Sequence, residues 1–414
     1  MTDIRLVQRR TLVVLLFSQV IGTVVMGVLS PVLPLLAEDM TGSQTLAGLS
    51  QALITSGALA FTIVLAALAV RHGRRAGIAT GSLLSGVGVL LIVPGQRLDS
   101  FALVLLGCLL AGGGIAAGLQ ARFAATDLAE RPGQALGLLQ WASLAGGVAG
   151  PLLIPLADRI IPGLPPMTGM FVVTAALLAL GALIVALGLR PDPLSLVAAP
   201  ERVPLRSAVR TVLSIPAARR GLVAMVTVHA VMIALMNMAG IHLHHHGATL
   251  QVIGVVISFH VAAMFLPGPL VGLLADRLGP GRLLVAGLLL QAAAAVVLQS
   301  GDGPVVVGTG LVLLGAGWSA GFLAGSIVLT TAIPVPRRPM AQGASDFLMQ
   351  LTAAAGALAA GTVVSWIGYA GLARGAGVVV LAVLAGPYLT RLLRRRGGRG
   401  GDGARQSEDS LTQR

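Results

Sequence analysis

The chain has 414 residues, of which 56% are apolar and 10% charged, and a formal net charge of +13, with a mean hydropathy of +0.91. A soluble domain carries charge on about a quarter of its residues, so this composition excludes a soluble enzyme and points to an all-α protein buried in lipid. The positive charge does not read as a nucleic-acid surface, because the arginines gather in alternate connecting segments and at both ends, where they anchor a multi-pass protein.

All 28 basic residues are arginine, the usage of a GC-rich bacterial genome. The lone Cys108 excludes an internal disulfide and a thiolate metal cluster.

Arg9-Arg10 ahead of Thr11 faintly resembles an export signal. The apolar run continues through Ser30-Pro31 without a small-residue cleavage site, so it reads as an uncleaved first crossing over 11–33. A crossing needs about 20 mostly apolar residues. Further runs of that kind fall at 45–70, 76–93, 100–121, 134–157 and 167–189, making residues 1–189 a six-helix bundle. A polar stretch, 190–219, is punctuated by Pro191, Pro193, Pro200, Pro204 and Pro216 and reads as a linker. Six more runs, 220–241, 249–275, 281–299, 304–332, 340–365 and 369–390, make 220–390 a second bundle. Residues 391–414, glycine-rich and mixed in charge, read as a disordered tail. Arg5, Arg71, Arg131, the linker, Arg277, Arg337 and Arg391 all fall on one side. The positive-inside rule puts that side, with both termini, in the cytoplasm.

The halves answer each other at a fixed offset. Arg71, Arg131 and Gly137 are followed 206 positions later by Arg277, Arg337 and Gly343. Duplicated helical halves in lipid are the build of a rocking transporter, with its substrate site at the membrane midplane.

Gly272-Leu273-Leu274-Ala275-Asp276-Arg277-Leu278-Gly279, ending one crossing and preceding a turn at Arg282, resembles the signature loop of the major facilitator superfamily. The resemblance extends along the whole chain. In the first half the motif is degraded: Ala66 replaces the first glycine and Val70 stands where the acid belongs, although Arg71, Gly73, Arg74 and Arg75 remain. Gly146 and Gly150-Pro151 resemble an element that the family associates with exporters, and Cys108 occupies the place of an arginine found in many proton-coupled members. The resemblance implies twelve transmembrane helices in two pseudo-symmetric six-helix bundles. It also implies a cytoplasmic latch at Gly272, Asp276, Arg277 and Gly279, with Arg71 and Gly73 as its first-half counterpart. There Asp276 would pair with nearby arginines and with the positive end of a neighbouring helix.

Charge at mid-bilayer costs about 2.5–3.5 kcal/mol, so polar groups inside crossings are informative. His260, Asp346 and His229 are the candidates for proton coupling, since a histidine can exchange a proton near neutral pH. The first half offers neutral stripes instead, with Gln19 and Met26, then Gln51, then Gln140 beside Trp141; Gln140 stands 206 positions before Asp346. Together with Met236, Asn237, Trp318, Ser319, Phe322 and Gln350 these are the candidate substrate-binding residues. No arginine reads as central, which argues against an anionic cargo. His242, His244, His245 and His246 crowd the outer end of the seventh crossing with no acidic or thiol partner beside them. They read as an outer gate, and no metal site is assigned.

These readings converge on a monomeric secondary transporter in a bacterial inner membrane, moving a small amphipathic organic solute by alternating access, coupled to protons and using no cofactor. No phosphate-binding loop or hydrolase triad accompanies the crossings, so the chain is not read as an enzyme. Two alternatives stay open. The degraded first loop suits a transport-incompetent receptor or assembly factor on the same fold, and the histidine cluster suits a metal-ion exporter.

Overall fold

A computed structural model describes residues 4–42, 44–160, 168–197, 201 and 203–411; the side chains of 151–160, of 387–411 and of a few other helical positions, Ser30 and Pro31 among them, fall outside that description. The first half comprises α1 (Ile4–Thr41), α2 (Gln44–His72), α3 (Arg74–Arg97), α4 (Phe101–Ala124), α5 (Pro132–Ile160) and α6 (Gly169–Gly188). A 3-10 turn at Pro193–Leu196 and α7 (Leu205–Ser214) follow. The second half comprises α8 (Pro216–His245), α9 (Leu250–Phe265), α10 (Gly268–Leu278), α11 (Pro280–Leu298), α12 (Pro304–Ala332) and α13 (Arg338–Leu411). Apolar segments take this form because lipid offers the backbone no hydrogen-bond partner, and a helix satisfies its own.

Ten helical stretches among the described residues are long and apolar enough to cross a membrane. One of them, within α13, folds at Gly368 (φ 70°) into two crossings, and α5 supplies the remaining one, giving twelve. The eighth crossing is split: α9 stops at Phe265 and α10 resumes at Gly268, because Pro267 has no N–H to continue the ladder. Gly73 (φ 89°) and Gly279 (φ 88°), 206 positions apart, make the same left-handed turn after α2 and after α10, a conformation that glycine adopts without strain. Where α3 crosses α4, Gly88 and Gly107 face each other so closely that a Cβ on either would lie 2.5 or 2.6 Å from the other's carbonyl oxygen. Small residues give lipid-embedded helices this close approach.

Within the linker, α7 is amphipathic and sinks Ala208 into an apolar cluster with Ala66, Val70, Met340 and Ala344.

The duplication is visible in the seams between halves. Gly137 of α5 abuts Gly268 and Gly272 of α10, while Gly343 of α13 abuts Ala66 of α2. Gly343 and Ala66 are the 206-residue counterparts of Gly137 and Gly272. One contact has been used twice.

Candidate functional site

Both seams lie on the arginine-rich face. In the α5–α10 seam, Asp276 at the end of α10 accepts hydrogen bonds from the backbone N–H groups of Gly133 and Gln134, each at 2.8 Å. These are the unpaired donors and positive dipole end of α5. The arginines expected beside Asp276 play no such part. Arg71 and Arg277 are exposed, and Arg282 turns back onto the Leu278 carbonyl at 3.5 Å.

The α2–α13 seam cannot use the same clasp, because Val70 has no carboxylate. It packs instead among apolar neighbours. Arg74 supplies the polar clasp. It is fully buried, its Nε and Nη2 reach Asp127 at 2.8 and 3.1 Å, and its Nη1 donates to Gln120 Oε1 at 3.0 Å. Across the seam, Nη2 donates to Gln342 Oε1 of α13 at 2.7 Å. Asp192 of the linker then caps α3, accepting from the N–H groups of Arg74 and Arg75 at 3.2 and 2.8 Å. In sequence Arg74 stands among the arginines of a connecting segment. Its pairing with Asp127, 53 residues on, leaves no local trace.

Beyond this closed face a cavity of about 490 Å³ lies between the halves. Gln19, Met26, Gln51 and Gln140 face it from the first half; His229, Asn237, Trp318, Phe322 and Gln350 face it from the second. The aromatic wall is ordered by contact. Trp318 and Phe322 stack with centroids 4.7 Å apart and planes 13° apart, and Phe265 meets Trp318 edge-on at 5.8 Å. Trp318 Nε1–H donates to His229 Nδ1 at 3.0 Å, which places the proton of the neutral imidazole on Nε2. On the facing wall Gln19 Nε2 donates to Ser143 Oγ at 2.9 Å, across an α1–α5 contact drawn tight by Gly146 and Gly150.

A central arginine is present after all. Arg122, in the last turn of α4, lies just past the expected end of its crossing but turns inward and lines the cavity. It pairs with Asp346 of α13, donates to Ser326 Oγ at 3.0 Å, and lies 4.4 Å from the ring centroids of Phe123 and Phe322. Asp346 is fully buried. Its partner is therefore Arg122 of the other half, whereas Arg337, a nearer candidate in sequence, is engaged with Glu201 at 2.8 Å. Among the described residues, Asp346 Oδ2, Arg122 Nε and Gln140 Nε2 are buried without a hydrogen-bond partner.

Several sequence candidates lie elsewhere. Trp141 is 51% exposed and outside the cavity lining, since one helical step rotates it about 100° from Gln140. Met236 packs against the core of the second half. Ser319 is buried behind the wall, its hydroxyl 3.4 Å from Gln140 Oε1. His260 donates from Nδ1–H to the Leu311 carbonyl of α12 at 2.6 Å, its Nε2 is buried without a hydrogen-bond partner among the described residues, and it does not line the cavity. The histidine cluster has an acidic neighbour that sequence distance hides, for Asp302 lies 3.2 Å from His242 and 3.7 Å from His246. His244 and His245, both exposed, stand apart from that group.

The sequence matches the family model described as Major Facilitator Superfamily over residues 15–298 and 221–413. It is 34% identical to the MFS-type transporter YddS of Bacillus subtilis (strain 168) over 392 residues, 91% of this chain and 89% of the relative. It is 29% identical to the riboflavin transporter RfnT of Brucella anthropi over 369 residues, 87% and 90% of the two chains. In fold it resembles the human organic anion transporter MFSD10, with a TM-score of 0.75 at 17% identity over 91% of this chain and 98% of that one. The chain belongs to the major facilitator superfamily and is a multi-pass membrane transporter of that family.

Proposed function

We propose that this transporter carries a small, planar, amphipathic organic solute across a bacterial inner membrane by alternating access, coupled to protons at Asp346. The observation that carries the reading is the cavity itself: an aromatic wall of Trp318 and Phe322 from one half opposes amides of Gln19, Gln51 and Gln140 from the other. A flat ring gains from stacking on such a wall, while amides pair with donors and acceptors at a heterocycle's edge. Arg122 does not by itself demand an anion, because Asp346 balances its charge. RfnT, named as a riboflavin transporter, makes riboflavin the first solute to test.

Coupling follows from where the ion pair sits. Asp346 Oδ2 has no hydrogen-bond partner among the described residues and is the atom at which a proton adds. Adding it removes the negative charge that holds Arg122 of the first half to α13 of the second. Protonation thus loosens the closed face, and solute and proton act on one seam. His229 orients Trp318, and His260 stays a structural strut. The closed, arginine-rich face is cytoplasmic in this reading, by the positive-inside rule, and residues 1–189 and 220–390 rock as the two bodies. The Asp276 clasp and the Arg74 network, which meet the other half on both seams, favour a transporter over a receptor that has lost its gate.

Purified protein in liposomes, given an imposed pH gradient and a panel led by riboflavin and other planar heterocycles, tests the reading. Saturable, gradient-driven flux of one such solute, lost in Asp346→Asn, supports it. Equal flux without a gradient contradicts the coupling, and flux confined to non-planar solutes contradicts the cargo.

A further inference from the structure

The face opposite the latch carries three ligand atoms that the transport cycle above does not use. His242 and His246 stand one helical turn apart at the end of α8, and Asp302 projects from the Gly301-Asp302-Gly303 connection ahead of α12. We propose that His242, His246 and Asp302 bind one divalent cation of the zinc class, which clasps the outer end of the second bundle.

The spacing fits the ion. Zinc bonds of about 2.0–2.2 Å at tetrahedral angles set neighbouring ligand atoms about 3.3 Å apart. His242 Nε2 lies 3.2 Å from Asp302 Oδ1, His246 Nε2 lies 3.7 Å from Asp302 Oδ2, and each residue offers a ligand atom within 4.8 Å of the others. The buried Nε2 of His242 faces the Asp302 carboxylate and has no other partner among the described residues; in the tautomer protonated on Nδ1 it presents its lone pair to a metal.

The rings are also held as ligands are. His246 Nδ1–H donates to the His242 carbonyl at 2.8 Å, which leaves the lone pair on Nε2 facing Asp302; such outer bonds fix the tautomer of metal-bound histidines. His242 stacks on Tyr369 at 4.5 Å and 20°. Tyr369 in turn donates to the Leu235 carbonyl of α8 at 3.2 Å. Two imidazoles and one carboxylate suit zinc better than magnesium or calcium, which favour all-oxygen shells. Three protein ligands leave the fourth position to water.

The group does not line the central cavity, so the cation is a clasp and not the cargo of that cavity. It joins α8, the α11–α12 connection and, through Tyr369, the chain just past the Gly368 bend.

Full-length protein in detergent, stripped by a chelator and titrated with cobalt(II) and then zinc, tests the site without any transport assay. The expected result is one cobalt per chain with the visible absorption of a tetrahedral centre, displaced by zinc, and a zinc-dependent rise in denaturation temperature. Asp302→Asn, in an exposed connection, and His246→Ala should each weaken zinc binding by at least about tenfold. The double variant His244→Ala/His245→Ala should bind as the parent does. An absent cobalt spectrum, binding that survives Asp302→Asn, or binding lost with His244 and His245 overturns the proposal.

Discussion

Asp276→Asn isolates the chemistry of the α5–α10 clasp. The carboxylate accepts two N–H bonds at 2.8 Å from the first turn of α5, and its charge faces the helix's positive end. The amide keeps one acceptor oxygen but turns an NH₂ group toward the other N–H and removes the charge. Loss of one hydrogen bond is worth about 1 kcal/mol and loss of the dipole interaction about another 1 kcal/mol. Together these shift the balance between closed and open states by about 2 kcal/mol, or about 30-fold. The chain supplies a convenient background, because Cys108 is buried. A reporter cysteine at Leu136, one turn from the clasp and buried in the closed state, should react with an impermeant maleimide from the arginine-rich side about tenfold faster or more in the variant. A reporter at Thr55, on the cavity wall, should react more slowly from the other side. Unchanged rates at both reporters would show that this carboxylate does not hold the face shut.

Gly272→Val should open the same face by sterics, since a Cβ there would lie 2.8 Å from the Gly133 carbonyl carbon; labelling at Leu136 should rise while the folded yield holds. Arg122→Gln leaves Asp346 buried without its cation, a loss of about 3–5 kcal/mol, and should lower the denaturation temperature sharply. The double variant Arg122→Met/Asp346→Leu should recover much of that stability yet show no gradient-driven transport, as thermal melts and liposome flux would reveal. Trp318→Ala removes the ring stacked 4.7 Å from Phe322. It should weaken binding of a planar solute by about tenfold, a stacking contribution of about 1.4 kcal/mol, measured by quenching of the solute's fluorescence.

The elements that the sequence disclosed are those written in local pattern. Apolar runs set the crossings, the 206-residue echo set the duplicated seams, and Asp276 was legible because its motif is contiguous. Eight of the eleven residues expected to bind solute do face the cavity, since helical spacing fixes which positions share a face. What escaped depends on contacts across great sequence distance. Arg122 and Asp346 are 224 residues apart, and Arg122 sits at a helix end where arginines usually meet water. Arg74 and Asp127, 53 residues apart, escaped for the same reason. Asp302 reaches the histidines only because α11 and α12 bring their connection back beside α8. Trp141 and Gln140, neighbours in sequence, point to different sides of a helix, and only Gln140 lines the cavity.

In the proposed mechanism the two halves rock about the cavity, so that opening one face closes the other. Paired spin labels at Arg131 and Arg277 report the arginine-rich face, and labels at Leu98 and His244 report the opposite one; all four positions are exposed. In lipid nanodiscs, Asp276→Asn should lengthen the first distance and shorten the second. Lengthening of the first distance with the second unchanged would rule out rocking.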